Sequence, residues 1–184
     1  MKNRKIIIGS RGSKLALIYA ERARAQLLKN LEKSSVNLKS ITTTGDEITD
    51  MRLSEYGGKG LFCKTIEQEL LDNNIDIAVH ALKDMPAEET EGLITNCFLE
   101  RNDPREILIS KEHKLLKNLA PRSLVGTSSF RREFKLNRIR KDLKCKLIRG
   151  NVDTRIKKLN DGLYDAIILS YAGIKFLSLE DKIA

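Results

Sequence analysis

Four short stretches of this sequence join small or hydroxyl-bearing residues to an arginine or lysine. They are Gly9-Ser10-Arg11-Gly12-Ser13, His80-Ala81-Leu82-Lys83-Asp84, Gly126-Thr127-Ser128-Ser129 running into Arg131-Arg132, and Ile148-Arg149-Gly150-Asn151 running on to Arg155. Small side chains let an anion reach the backbone, and the planar guanidinium fork takes both oxygens of a carboxylate or phosphate. Asp84 breaks the cationic pattern: a carboxylate among cations can hold a substrate N–H or stabilise a developing positive charge. Each feature also has a plainer reading. The hydroxyl residues are good helix N-caps, Asn151 could cap the helix after it, and Arg131, Lys135 and Arg138 fall at the spacing of a coated helix surface. His80 fits a structural imidazole, and Asp84 an Asx turn before Met85-Pro86. The coincidence of four such stretches, rather than any one, points to an anionic ligand. Gly57-Gly58-Lys59-Gly60 lacks the spacing of a nucleotide P-loop.

The elements that must position these residues alternate. Ile6-Ile7-Ile8 reads as a buried strand ending at Gly9, and Ala16, Ala20, Ala23 and Leu27 mark one face of a helix over 13–30. Strands are expected at 36–43, 75–79 and 93–99, with the apolar stripe Phe62, Ile66 and Leu70 on a helix behind the glycine-rich loop. Asn102-Asp103-Pro104-Arg105 reads as a hinge, after which strands are expected at 107–109, 124–126, 145–148 and 166–169. Val152, Ile156 and Leu159 give the helix after Asn151 its buried stripe. Such alternation argues for two small α/β units, 1–100 and 101–184, built on parallel sheets covered by helices. Ligands in such sheets sit where strands end and helices begin, which is where the four stretches fall.

Composition narrows the classes. The chain has 184 residues, 41% hydrophobic and 32% charged, an ordinary globular mix. Trp is absent and aromatics are 5%, a poor basis for stacking single-stranded nucleic acid. No apolar run approaches a membrane span or a signal peptide, so a cytoplasmic protein without a membrane partner is expected. Cys63, Cys97 and Cys145 form neither metal-ligand pairs nor a CxxC motif and read as buried free thiols; no metal site is expected. The net charge of +9 is uneven: residues 1–100 carry 14 basic and 15 acidic side chains, residues 101–184 carry 20 and 10. One unit therefore faces a polyanion or carries a solvated basic face.

The motifs Ile8-Gly9-Ser10-Arg11-Gly12-Ser13-Lys14-Leu15-Ala16-Leu17, Thr44-Gly45-Asp46, Gly57-Gly58-Lys59-Gly60-Leu61-Phe62, Asp76 to Pro86, Val125 to Arg132 and Arg149 to Arg155 resemble, in order and over nearly the whole chain, those of the porphobilinogen deaminase (hydroxymethylbilane synthase) family. The resemblance implies two doubly wound α/β lobes like type 2 periplasmic binding proteins, with a cleft between them. It implies a transferase of tetrapyrrole and heme biosynthesis that deaminates four porphobilinogen molecules and joins them into a linear tetrapyrrole on a dipyrromethane cofactor. Each pyrrole carries an acetate and a propionate, so the growing chain is a polycarboxylate. Arg11, Ser13, Lys83, Thr127, Ser128, Ser129, Arg131, Arg132, Arg149, Gly150 and Arg155 match family positions that bind cofactor or substrate carboxylates. Asp84 matches the catalytic carboxylate that contacts pyrrole nitrogens, and Lys59 the mobile lid. A monomer that binds no nucleic acid is expected.

Three departures stand out. Phe176 replaces an arginine usual in relatives, with Lys175 beside it, and Ala81 lacks a hydroxyl many relatives have. The family's third, C-terminal domain carries the cysteine that forms the thioether to the cofactor. None of Cys63, Cys97 and Cys145 matches that attachment site, so the expectation is a chain that holds much of the cleft yet is inactive alone. Two other classes stay open from the residues: a non-catalytic two-lobed binder of small polycarboxylates, and a nucleic-acid binder driven by the basic half, whose affinity would fall steeply with salt.

Overall fold

The three isoleucines at 6–8 seed β1 (Lys5–Arg11), whose Ile6 and Ile8 are buried on one face while Ile7 packs on the other. The structure is a computed structural model that describes residues 5–31, 35–47 and 60–184. Two compact units divide between Arg101 and Asn102.

In the first unit, β1 leads into α1 (Lys14–Leu28), followed by β2 (Ser35–Ile41), the short α2 (Thr44–Glu47), α3 (Lys64–Leu71) and β3 (Ile77–Ala78). The sheet is parallel, in the order β2-β1-β3, with Ile8 opposite Leu38 and Ile77. One face buries Ile6, Ile8, Val36 and the α1 residue Ala20; the other buries Ile41, Ile66 of α3 and Ile75. β3 is shorter than the five residues expected because a side chain takes over part of its ladder. The Asp76 carboxylate accepts from the Ile7 N–H at 2.8 Å, while the Asp76 N–H donates to the Ile7 carbonyl at 2.9 Å.

The strand expected at 93–99 does not form. Its apolar residues find no sheet among the described residues, and Ile94 and Phe98 are 78% and 64% exposed. Cys97 within it is exposed, against the expectation of burial, whereas Cys63 is buried.

The second unit runs β4 (Glu106–Ser110), β5 (Leu124–Gly126), α4 (Phe130–Ile139), β6 (Lys144–Lys146), α5 (Val152–Asn160), β7 (Ala166–Ser170) and α6 (Tyr171–Phe176). The sheet order is β4-β7-β5-β6. β5 pairs in parallel with β6 and β7, but β4 is antiparallel to β7, a departure from the all-parallel sheet expected. An antiparallel edge strand on an otherwise parallel sheet is common in such folds. One sheet face packs Ile148, Ile156, Leu159, Ile167 and Ile174; the other packs Leu119, Val125, Leu136 and Leu143. No helix among the described residues is long and apolar enough to cross a membrane.

Candidate functional site

The first unit gathers its charged side chains at the carboxyl end of its sheet. Arg11 ends β1, and its Nε donates to Asp46 of α2 at 3.0 Å, with a second, shorter contact from Nη2 to Asp46 Oδ1. Asp46 also accepts from the Thr43 hydroxyl at 2.7 Å. Burial by itself would raise the Asp46 carboxyl, but the Arg11 and Thr43 hydrogen bonds and the Arg11 charge outweigh it and hold it below the usual carboxylate range. The Arg11 guanidinium lies 3.9 Å from the centre of the Phe62 ring, a cation–π contact. Gly45 makes room for that ring: a Cβ at position 45 would meet Phe62 Cζ at 2.9 Å.

Asp84 stands beside this pair. It closes a single 3₁₀ turn, Leu82–Asp84, and its carboxylate lies 3.9 Å from Arg11 Nη1. Among the described residues that carboxylate makes no hydrogen bond to backbone, so the Asx-turn reading does not hold. Behind it, the buried Cys63 thiol donates to the Asp84 carbonyl at 3.1 Å and lies 3.9 Å from His80 Nδ1. Burial, then the Glu67 and Asp84 charges, push the Cys63 thiol up to about 12 despite the Arg11 charge. Burial pushes His80 down, opposed by Glu67 and Asp84, so the imidazole is neutral at pH 7. Its buried Nε2 has no hydrogen-bond partner among the described residues, so His80 is not the satisfied structural imidazole expected.

The second unit gathers arginines. At the start of α4, Arg131 and Arg132 both grip one carboxylate, Glu106 of β4, at 2.6 and 2.9 Å. Arg132 also donates to the Ile168 carbonyl at 3.1 Å. Burial would raise Glu106, but hydrogen bonds from Arg132 and Arg131 hold it below its ordinary value. The loop after β6 has three successive carbonyls, each taken by a side chain: Ile148 by Ser128 at 2.8 Å, Arg149 by Lys158 at 3.1 Å and Gly150 by Arg155 Nε at 2.7 Å. Gly150 sits at φ +106, where a Cβ would also meet Thr154 Cγ2 at 2.7 Å. Arg155 is pushed down to about 10, first by burial and then by the positive charges of Arg149 and Arg132. Among the described residues no carboxylate pairs with Arg155. A half-buried guanidinium disfavoured by two neighbouring cations is an environment that an anion would relieve.

Several expected site residues carry structural duties. Ser13 caps α1, accepting from the Ala16 N–H at 3.3 Å, and Ser129 caps α4, accepting from the Arg132 N–H at 3.5 Å. Thr127 is fully buried and accepts from the Ser129 N–H at 3.2 Å. Asn151 occupies the N-cap position of α5 without a side-chain cap bond. Lys135 and Arg138 are exposed on α4, as is Lys83 on its turn. Lys59, with Gly57 and Gly58, lies outside the described residues. The sequence reading missed Asp46 and Glu106, the acids that orient Arg11 and the Arg131–Arg132 pair. Asp46 was marked by being the one acid in the Thr44-Gly45-Asp46 motif; Glu106 carried no comparable signal.

Two α/β units with guanidinium groups at their strand ends define a two-lobed fold of the type 2 periplasmic-binding-protein class. Solved structures with this fold include substrate binding domain 2 of GlnP from Lactococcus lactis, in an open conformation. It is 12% identical at a TM-score of 0.54, covering all of this chain and 75% of that one. The unliganded L-cystine solute receptor of Neisseria gonorrhoeae is 10% identical at 0.50, covering 100% and 72%. The family described as "Porphobilinogen deaminase, dipyromethane cofactor binding domain" matches residues 6–184. The porphobilinogen deaminase of Chlorobaculum tepidum is 45% identical over 98% of this chain and 58% of its own length, and that of Bacillus pumilus is 50% identical over 93% and 55%. The chain belongs to the porphobilinogen deaminase family, and it spans somewhat over half the length of the curated relatives it matches.

Proposed function

We propose that this chain supplies cofactor- and substrate-binding residues for the deamination and head-to-tail joining of four porphobilinogen molecules. The observation that carries the reading is Arg155, half-buried, with no carboxylate paired to it among the described residues and pushed down first by burial and then by the charges of Arg149 and Arg132. Porphobilinogen and its oligomers are polycarboxylates, the counter-charge such a group needs. A dipyrromethane carries the same carboxylates, and we assign its binding to Arg131, Arg132, Arg149, Gly150 and Arg155 of the second unit and, separately, to Arg11, Ser13, Lys83 and Asp84 of the first. When bound, it supplies the primer to which the pyrroles are joined. Thr127, Ser128 and Ser129 shape the loop that carries the α4 arginines, and Lys59 is assigned to the lid.

Loss of ammonia from the aminomethyl carbon of porphobilinogen leaves a methylene-pyrrole cation. Asp84 holds the pyrrole N–H and stabilises that cation, because a fixed anion in a partly dry site lowers the barrier where charge develops. Arg11, already paired with Asp46, leaves the Asp84 charge largely uncancelled. The thioether of the primer does not form on Cys63, whose buried thiol gives almost no thiolate at neutral pH. With no other cysteine matching the attachment site, this stretch by itself is inactive. It acts in the cytoplasm as a monomer.

The test is to incubate the protein with porphobilinogen and follow ammonia and tetrapyrrole absorbance, alone and mixed with a separately made C-terminal piece of a relative. Turnover only in the mixture supports the reading. A stable covalent dipyrromethane adduct on this polypeptide in a mass spectrum overturns the inactivity. The second reading, a binder of small polycarboxylates without catalysis, rests on the same arginine cluster; it predicts binding of porphobilinogen with no ammonia released by the mixture.

A further inference from the structure

Cys63 occupies the N-cap position of α3, where Ser, Thr, Asp or Asn normally turns its oxygen onto the helix's own free N–H groups. Its side chain makes no such bond. The thiol turns instead across 21 residues of sequence, to the Asp84 carbonyl 3.1 Å away, with Met85 Sδ at 3.7 Å and His80 Nδ1 at 3.9 Å. The helix forgoes its cap, and the turn bearing Asp84 gains an anchor.

That turn needs one. Leu82–Asp84 is a single 3₁₀ turn with no buried residue; Leu82 is 65% exposed. Its own closures are the Asp84 N–H donating to the Ala81 carbonyl at 2.9 Å and the Met85 N–H donating to the Leu82 carbonyl at 3.2 Å, both local to the turn. Cys63 is fully buried, so its donor reaches the turn from the solid side of the unit. We propose that Cys63 is a positioning residue: its thiol fixes the Asp84 backbone and thereby sets where the Asp84 carboxylate stands beside Arg11. Burial keeps the thiol protonated through the neutral range, so it stays a donor. The inference rests on the reading of Asp84 as the group that meets the pyrrole nitrogen.

The experiment combines Raman difference spectroscopy of the protein against Cys63→Ala with calorimetric titration of porphobilinogen. The S–H stretching band of Cys63 is expected below the position of a thiol without an acceptor. Cys63→Val, close in size and lacking the donor, is expected to keep its thermal midpoint within a few degrees and to weaken porphobilinogen binding by roughly fivefold, the loss of one hydrogen bond. Cys63→Ser, which restores a donor, recovers most of the affinity. A band at the acceptor-free position overturns the proposal, and so does a folded Cys63→Val that binds like the parent. If Cys63→Val fails to fold, the band decides. A shifted band with an Asp84→Asn variant that binds normally, or no binding by the parent, overturns the Asp84 reading instead and leaves the Cys63–Asp84 bond standing.

Discussion

Arg11 gives its short contacts to Asp46 and stands 3.9 Å from Asp84. One guanidinium thus lies between two carboxylates but is bonded to one of them. Asp46 and Asp84 consequently differ in duty: the first orients Arg11, the second keeps its charge for a ligand. Asp84→Asn should abolish turnover in the reconstituted mixture and change the folding free energy by no more than about 0.5 kcal/mol, as for a side chain outside any tight network. Urea denaturation beside the ammonia assay checks this. Asp46→Asn should instead cost about 2 kcal/mol, the scale of a charge-assisted hydrogen bond.

Acid should expose the same pair. Asp46 binds its proton less tightly folded than unfolded, where a carboxyl titrates near about 3.9. The folded state then holds fewer protons, so this stabilisation is full above about pH 4 and fades as pH falls through the lower folded value. Glu106 acts in the same direction. Thermal midpoints should drop below about pH 4, and less steeply in the double variant Asp46→Asn, Glu106→Gln. Parallel slopes for parent and variant would exclude this account.

For the arginine cluster the signs reverse. A cation whose folded value is pushed down to about 10 costs stability while it is charged. Arg155→Gln is therefore expected to leave the unliganded protein as stable as the parent or more so, and to weaken binding of polycarboxylates by roughly tenfold or more. A functional site held at the expense of stability behaves this way. Differential scanning calorimetry with and without porphobilinogen would show both effects. A destabilised variant with unchanged affinity would mean that Arg155 serves the Gly150 loop alone.

Much of the fold was legible because its signals are local. The apolar runs at 6–8, 107–109 and 166–169, and the shorter Leu124-Val125, all lie in strands, since consecutive branched residues are most readily buried in a sheet covered on both faces. The strand expected at 93–99 failed for the converse reason: an apolar run forms a strand only where a neighbour pairs with it. β4 was found, but its direction was not, because direction is set by partners distant in sequence. In the site, the cations were legible from residue type and position at strand ends. Asp46, Glu106 and Cys63 were not, because their roles depend on what they touch: Arg11 is 35 residues from Asp46, and Arg132 is 26 from Glu106.

Gly45 offers a steric check on Arg11. A methyl group there would press into the Phe62 ring, which stacks on the Arg11 guanidinium. Gly45→Ala should cost about 1–3 kcal/mol as an overpacked site. Shortening the ring in Gly45→Ala, Phe62→Leu should recover part of that loss. Additive penalties in a double-mutant cycle would show the two positions to be independent.

The central claim is that Arg132, Arg149 and Arg155 are gathered to receive carboxylates. Its most direct measurement is a nitrogen-15 NMR titration of the arginine Nε–H resonances with porphobilinogen. The account predicts saturable shifts at Arg132, Arg149 and Arg155 while exposed Arg138 stays in place. Resonances of the three that do not move, or that move equally with duplex DNA and lose that response steeply with salt, would contradict it.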